Sequence, residues 1–392
     1  MKQTLARLIA GQIFLHACMA GLRMATPLLA LKQGHSAMAV GALLSLFALT
    51  QVFTAVPAGR YTDRVGLHRP IAIAVAVATL GALLPALWPS FEMLCLSALA
   101  TGGATGLTVI ALQRHVGRLV QAPAQLKSAF GWLSIGPAFS NFLGPVLAGL
   151  LIDHAGAVAG DTLGFRAAFA LMASLPLLGL LLWRAVPEHP LAHAAPPQGG
   201  GRTLDLLRAP QMRRLLLVNW LMSSCWDVHT FVVPILGHER GFSASVIGTL
   251  LGAFAVAAAL IRMSLHWLAR HLHEHQIITA AMLATSVLFG LFPLMPNAWA
   301  MGVCSVLLGL VLGSVQPMIM STLHQITPEH RQGEALGLRL LSINASSVLM
   351  PSLFGAAGAL AGVAPVFWVV GASVALGARQ GWRLRPHGRR RA

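Results

Sequence analysis

Twelve stretches of this 392-residue chain are apolar and long enough to cross a bilayer. They run roughly over 6–31, 38–58, 70–88, 92–113, 129–152, 165–184, 214–236, 244–268, 277–295, 298–323, 335–360 and 362–379. The bilayer core offers no water to backbone N–H and C=O groups, so each stretch must satisfy its own hydrogen bonds as a helix. About 20 residues then span the hydrocarbon. Only 10% of the residues are charged, against about 25% in a soluble domain, which excludes a water-solvated surface. The expectation is an all-α membrane protein.

Lys and Arg are sharply asymmetric. With the first stretch starting inside, 23 of the 27 fall on inside loops or span ends, and only Lys32, Arg166 and Arg240 fall outside. Such bias marks the cytoplasmic side, so both termini are expected there. The net charge of +16 comes from short clusters between apolar runs; nucleic acid is therefore not an expected partner. The basic tail over 381–392 reads as a contact for anionic lipid headgroups. A basic start followed by an apolar run raises a signal peptide, but that run continues to Leu31 and reads as the first span. Cys18, Cys95, Cys225 and Cys304 lie in apolar runs with neither zinc nor redox spacing. His266, His271, His273 and His275 read as a solvated loop. No metal or cofactor is expected.

The chain repeats itself. A shift of 207 places Pro27 on Pro234, Gly41 on Gly248 and Phe47 on Phe254; a shift of 206 places Gly103 on Gly309, Pro145 on Pro351 and Gly149 on Gly355. Two six-helix bundles related by an axis along the membrane normal follow, over 1–185 and 212–380. Between them, 186–211 holds Pro187, Pro190, Pro196, Pro197 and Gly199–Gly201, a flexible linker composition. A short amphipathic helix is expected from Thr203 to Leu207.

Gly59 to Pro70 reads G-R-Y-T-D-R-V-G-L-H-R-P, between the second and third spans. Gly59, Asp63, Arg64, Gly66 and Arg69 resemble the loop motif of the major facilitator superfamily of transporters. Glu329 and Arg331, ahead of the eleventh span, resemble its second-half counterpart with the glycine shifted to Gly333. Gly131, Ser140, Gly144, Pro145 and Gly149 in the fifth span resemble the helix-five motif of the drug:proton antiporter branch, with Ser140 and Ala148 in place of glycines. The resemblance implies two pseudo-symmetric six-helix bundles, alternating access, a monomer in a bacterial inner membrane, and cytoplasmic gate contacts through Asp63, Arg64, Glu329 and Arg331. Its fourth helix often carries an arginine where this chain has Leu99.

Charge inside a span is costly and usually functional. Asp227, in the seventh span, is the one acidic residue at mid-span, and Arg23 in the first span is expected at similar depth. We expect Asp227 to couple protons and Arg23 to be its counter-ion or to anchor an anionic substrate group. His16 and His229 are candidate relays, since histidine titrates near neutrality. Gln12, Gln51, Asn141, Asn219, Trp220, Trp226 and Gln316 are expected to line a substrate cavity. No phosphate-loop pattern or catalytic cluster is present, so neither an ATP-driven pump nor an enzyme is expected. Two activities remain open: proton-coupled efflux of small apolar or amphipathic compounds, and uptake or exchange of a small organic anion bound by Arg23.

Overall fold

The computed structural model describes residues 2–119, 133, 135–155, 162–188, 203–268, 272–328 and 331–385. Among them are twelve helices of at least 18 residues and no strand. They are α1 (Lys2–Lys32), α2 (Ala37–Val65), α3 (His68–Leu87), α4 (Phe91–Leu119), α5 (Ile135–His154), α6 (Leu163–Arg184), α7 (Pro210–Glu239), α8 (Ala244–Leu268), α9 (Glu274–Leu291), α10 (Ala298–Ile326), α11 (Gln332–Ala361) and α12 (Ala364–Trp382). Nine hold a window apolar enough to cross a membrane; α5, α7 and α12 do not. For α7 the reason is visible: Asn219, Ser223, Ser224, Asp227 and His229 interrupt the apolar run, and all five are buried. Trp88 and Trp299, near ends of α3 and α10, are largely exposed, as suits an interfacial ring.

Helices α1–α6 form one bundle and α7–α12 the other. Within the first, α1 packs on α5 and α6, α2 on α4, and α3 on α4 and α6. The second repeats the α2–α4 packing as α8–α10. The two bundles meet along α2–α11 and α5–α8.

Both meetings lie at the face opposite the chain termini, and their contacts obey the sequence repeat. Gly41 of α2 sits on the carbonyl of Pro351 in α11, and Gly248 of α8 on the carbonyl of Pro145 in α5. Gly149 meets Ala244 just as Gly355 meets Ala37. A Cβ at any of these glycines would collide with backbone, so their absence of a side chain is what lets the bundles close. Ser45 adds hydrogen bonds to the Val348 carbonyl, 2.6 Å, and to Ser352, 2.8 Å. At the face carrying the termini, neither α4 nor α5 packs along α10 or α11 among the described residues. Among the described residues, the bundles are packed together on one face and stand apart on the other.

Two expectations about the motif segment change. The second span was expected to end near residue 58, with Gly59–Pro70 as a loop. Instead α2 continues to Val65 and the turn is only Gly66–Leu67. Gly66 has φ +84° and its N–H caps the helix on the Thr62 carbonyl, a conformation that favours glycine. Asp63 therefore sits in the last turn of α2. The start of α3 is held by Glu188, from the segment expected to be free linker. Its Oε1 accepts from the Leu67 N–H at 2.6 Å and its Oε2 lies 3.0 Å from His68 Nδ1. Partial burial pushes the Glu188 carboxyl up, but the His68 side chain and the Leu67 and His68 amides outweigh this and hold it below the usual range. Further on, residues Thr203–Arg208 form a 3-10 turn leading into α7.

Candidate functional site

A cavity of about 400 Å³ lies between the bundles, beneath the sealed face. Its wall comes from α1, α2, α4 and α5 on one side and from α7, α8 and α11 on the other. It reaches toward the parted face as far as Thr54 and Gln113. Six residues expected to couple protons or line a cavity meet this cavity or its wall: His16, Arg23, Gln51, Asn141, Trp226, and Asp227 through its partner Ser347; Pro145 of the helix-five motif lines it too.

Asp227 is 4% exposed. Ser346 donates to its Oδ2 at 2.9 Å and Ser347 to its Oδ1 at 3.2 Å, both from α11. Ser224 and Ser346 lie 3.2 Å apart, and Asn219 donates to Ser342 at 3.4 Å, continuing a polar seam between α7 and α11. Arg23 lines the cavity from α1. It has no carboxylate within ion-pair distance among the described residues. A static ion pair clamping the two bundles is thus not what holds this region. The carboxylate is tied inside its own bundle, and the guanidinium is left to the cavity.

The other expected residues have different surroundings. His229 is fully buried and turned to the far side of α7, where it lies 3.0 Å from Ser305 and stacks on Phe254 at 4.0 Å. Its two-residue offset from Asp227 puts it on another helix face. Gln12 is buried against Gly136, and Asn219 belongs to the serine seam. Trp220 packs at the margin of the hydrophobic core. Gln316 accepts a hydrogen bond from Arg339. None of these four lines the cavity. His16 does, and its Nδ1 has no hydrogen-bond partner among the described residues.

Several members of the site were not singled out from the sequence. They include Ser346, Ser347, Asn344 and Thr230. The run Asn344-Ala345-Ser346-Ser347, polar within an otherwise apolar span, was the signal available. Arg262 is another: its guanidinium lies 5.7 Å from the Trp226 ring, placing a cation behind the cavity wall.

The helix-five motif serves close packing on two sides. Ser140 donates to the Ile13 carbonyl of α1 at 2.9 Å, and Gly144 sits on the Ala17 carbonyl of α1. Pro145 and Gly149 face α8 at the seal. Gly131 lies outside the described residues, as does Glu329. Around the other motif, Gly59 faces the Arg114 guanidinium, Arg64 and Arg69 are exposed, and Arg331 stands at the start of α11. The Asp63 side chain lies outside what is described.

Comparison with known proteins agrees with this architecture. The Major Facilitator Superfamily profile matches residues 8–304 and 215–391, and the chain belongs to that family. It is 25% identical to the tetracycline resistance protein, class B, of Escherichia coli, over 80% of this chain and 77% of that one. It is 24% identical to multidrug resistance protein 1 of Bacillus subtilis (strain 168), over 82% and 80%. Among solved structures, the nucleoside transporter NupG superposes with a TM-score of 0.80 at 12% identity, over 97% of this chain and 100% of that one. A bacterial homologue of the human lysosomal transporter Spinster, inward-facing and unoccupied, superposes with a TM-score of 0.73 at 14% identity, over 96% and 98%. The protein is a multi-pass membrane transporter and not an enzyme.

Proposed function

We propose that this transporter exports small apolar or amphipathic compounds in exchange for protons, with Asp227 as the proton-carrying group. The observation that carries the proposal is the setting of Asp227: a carboxylate in the middle of a span whose direct side-chain partners are hydroxyls. A hydroxyl donates to a carboxylate and accepts from a carboxylic acid. Ser346 and Ser347 therefore suit both protonation states, whereas an arginine locked to the carboxylate would suit only one. Ser347 also lines the cavity, so a bound compound sits one side chain from the proton site. Resistance proteins among the relatives support export as the direction, and the Lys and Arg asymmetry supports cytoplasmic termini. On that orientation the structure is inward-open, and the compound enters from the cytoplasm. Alternating access then needs the seal of α2–α11 and α5–α8 to part while the other face closes.

A second reading rests on Arg23. Its guanidinium faces the cavity without a carboxylate partner among the described residues, with Gln51 on the same wall and Asn344 on the opposite one. A cavity-facing cation within a span recruits an anion, so on this reading the transported compound carries a carboxylate or similar group, and uptake or exchange of an organic anion is the alternative activity.

Proteoliposomes containing a trapped pH dye distinguish the two. With a proton gradient imposed, an exported compound collapses the gradient in the wild type and fails to do so in Asp227→Asn. Collapse that survives Asp227→Asn rejects Asp227 as the proton site. Exchange of labelled anions without any gradient collapse, lost in Arg23→Gln, establishes the second reading instead.

A further inference from the structure

A second concavity lies on the outer wall of the first bundle, apart from the central cavity. It is a groove of about 750 Å³ between α2, α3 and α4, lined almost wholly by apolar side chains, among them Pro57, Ile73, Val77, Leu96 and Leu107. It exists because α2 diverges from α3: the two barely touch beyond the turn that joins them, while each packs firmly on α4. Ile73, Val77 and Leu96 are exposed, so the groove opens outward to the bilayer.

Its end near the Gly66 turn carries two arginines, with the Glu188 carboxylate already held by the Leu67 and His68 amides and the His68 ring. On α2 the lining positions are Thr50, Thr54, Pro57, Ala58 and Tyr61, a helical face on which Arg64 is the next residue, one turn past Tyr61. On α3 the lining positions are Ile73, Ala74 and Val77, and Arg69 lies one turn before Ile73 on that face. Both arginines are exposed, and neither has an ion-pair or hydrogen-bond partner among the described residues. By helical register they stand at the mouth of the groove, one on each of two walls. Tyr61, at the mouth, is the one tyrosine of the chain, and its ring is suited to headgroup depth.

We infer that this groove is a binding site for one anionic phospholipid, with the phosphate between Arg64 and Arg69 and acyl chain along α2, α3 and α4. The groove, about 750 Å³ and open to the bilayer, has room for acyl chain. The apolar length and the two arginines at the mouth together match the chemistry of an anionic lipid. The site gives two motif arginines a role that does not depend on the transported compound.

The purified transporter in nanodiscs, titrated from phosphatidylcholine to phosphatidylglycerol bearing brominated acyl chains, tests this. The probe is a tryptophan placed at Phe53, which is exposed on α2 near the groove, in a background with the nine native tryptophans replaced. Phosphatidylglycerol should be preferred over phosphatidylcholine in quenching. Each of Arg64→Gln and Arg69→Gln should lower that preference about fivefold, since a basic residue near an anionic surface is worth about 1 kcal/mol. Arg213→Gln, an exposed basic residue on α7, should leave it unchanged. Because stripping the tryptophans can unfold the protein, the same variants are also read by native mass spectrometry of the otherwise unaltered chain, counting retained lipids. Val77→Phe, which fills the groove but keeps both arginines, should abolish the retained phosphatidylglycerol. An unchanged preference in the Arg64→Gln, Arg69→Gln double variant overturns the proposal. Full retention in Val77→Phe overturns it too, because the arginines would then act only as surface charge.

Discussion

Asp153 should set how readily the sealed face opens. It belongs to α5 in the first bundle, yet its carboxylate caps the first turn of α8 in the second. Oδ1 accepts from the Ala244 N–H at 3.0 Å and Oδ2 from the Ser245 N–H at 2.6 Å. The pseudo-equivalent seam has no such residue: the repeat places Ala359 there, while Ser36 and Ser243 cap α2 and α8 alike. Removing a helix-capping side chain costs about 0.5–2 kcal/mol, and the charge adds about 0.3–1 kcal/mol at a helix N-terminus. These contacts span the two bundles, so their loss destabilises only the state sealed on this face. Asp153→Ala should therefore move the sealed-to-open ratio by about 1–2 kcal/mol, roughly 5- to 30-fold at 1.4 kcal/mol per tenfold. Asp153→Asn keeps one acceptor and loses the charge, and should shift it by less, about twofold to fivefold. Spin labels at Met38 and Leu360, exposed positions near the facing ends of α2 and α11, report the distance by pulsed EPR once the four native cysteines are replaced. The long-distance fraction should rise in the order wild type, Asn, Ala. An Asp153→Ala distribution identical to wild type would refute the latch.

Other substitutions probe the same framework. Gly248→Val puts a branched side chain against the Pro145 carbonyl and should hold the seal open, raising reactivity of a cysteine at Ser45 toward a membrane-impermeant maleimide; unchanged labelling would contradict the close-packing account. Ser346→Ala with Ser347→Ala removes both hydroxyls from Asp227; proton-coupled flux should fall at least tenfold while reconstitution yield holds, and full retained coupling would remove the serines from the proton path. Docking of Glu188 on the α3 start should depend on acid. Its carboxyl is held low by His68 and the Leu67 and His68 amides against the push of burial, so this contact contributes at neutral pH and fades as pH falls through that lowered value, below about 4.5. Protection of the Leu67 amide against hydrogen exchange should drop there, and Glu188→Gln should show low protection at every pH; a pH-independent wild type would exclude the carboxylate as its source.

How much was legible in the chain can be read residue by residue. Hydropathy and the Lys and Arg bias carried the helix count, because a bilayer forces each apolar run into one helix whatever its neighbours do. The repeat carried the two-bundle symmetry down to the pairing of Gly41 with Pro351 and Gly248 with Pro145, since small residues recur wherever backbones must touch. Asp227 and Arg23 stood out because charge at mid-span is so costly. Their partners did not. Whether Asp227 meets Arg23 or the α11 serines depends on helix rotation to within part of a turn, and hydropathy does not fix rotation. The same uncertainty put Asn219, Trp220, Gln12 and Gln316 in the expected cavity when each packs elsewhere, and left out Asn344 and Thr230. Glu188 and Asp153 were hidden for another reason: each caps a helix distant in sequence, 121 and 91 residues away, and no local pattern announces such a contact. The sequence by itself determined the spans, their symmetry and the presence of a costly charge, all properties of one helix against lipid. Only the tertiary structure decided which face is sealed, which side chains reach the cavity and what holds each carboxylate, because those are properties of helices against one another.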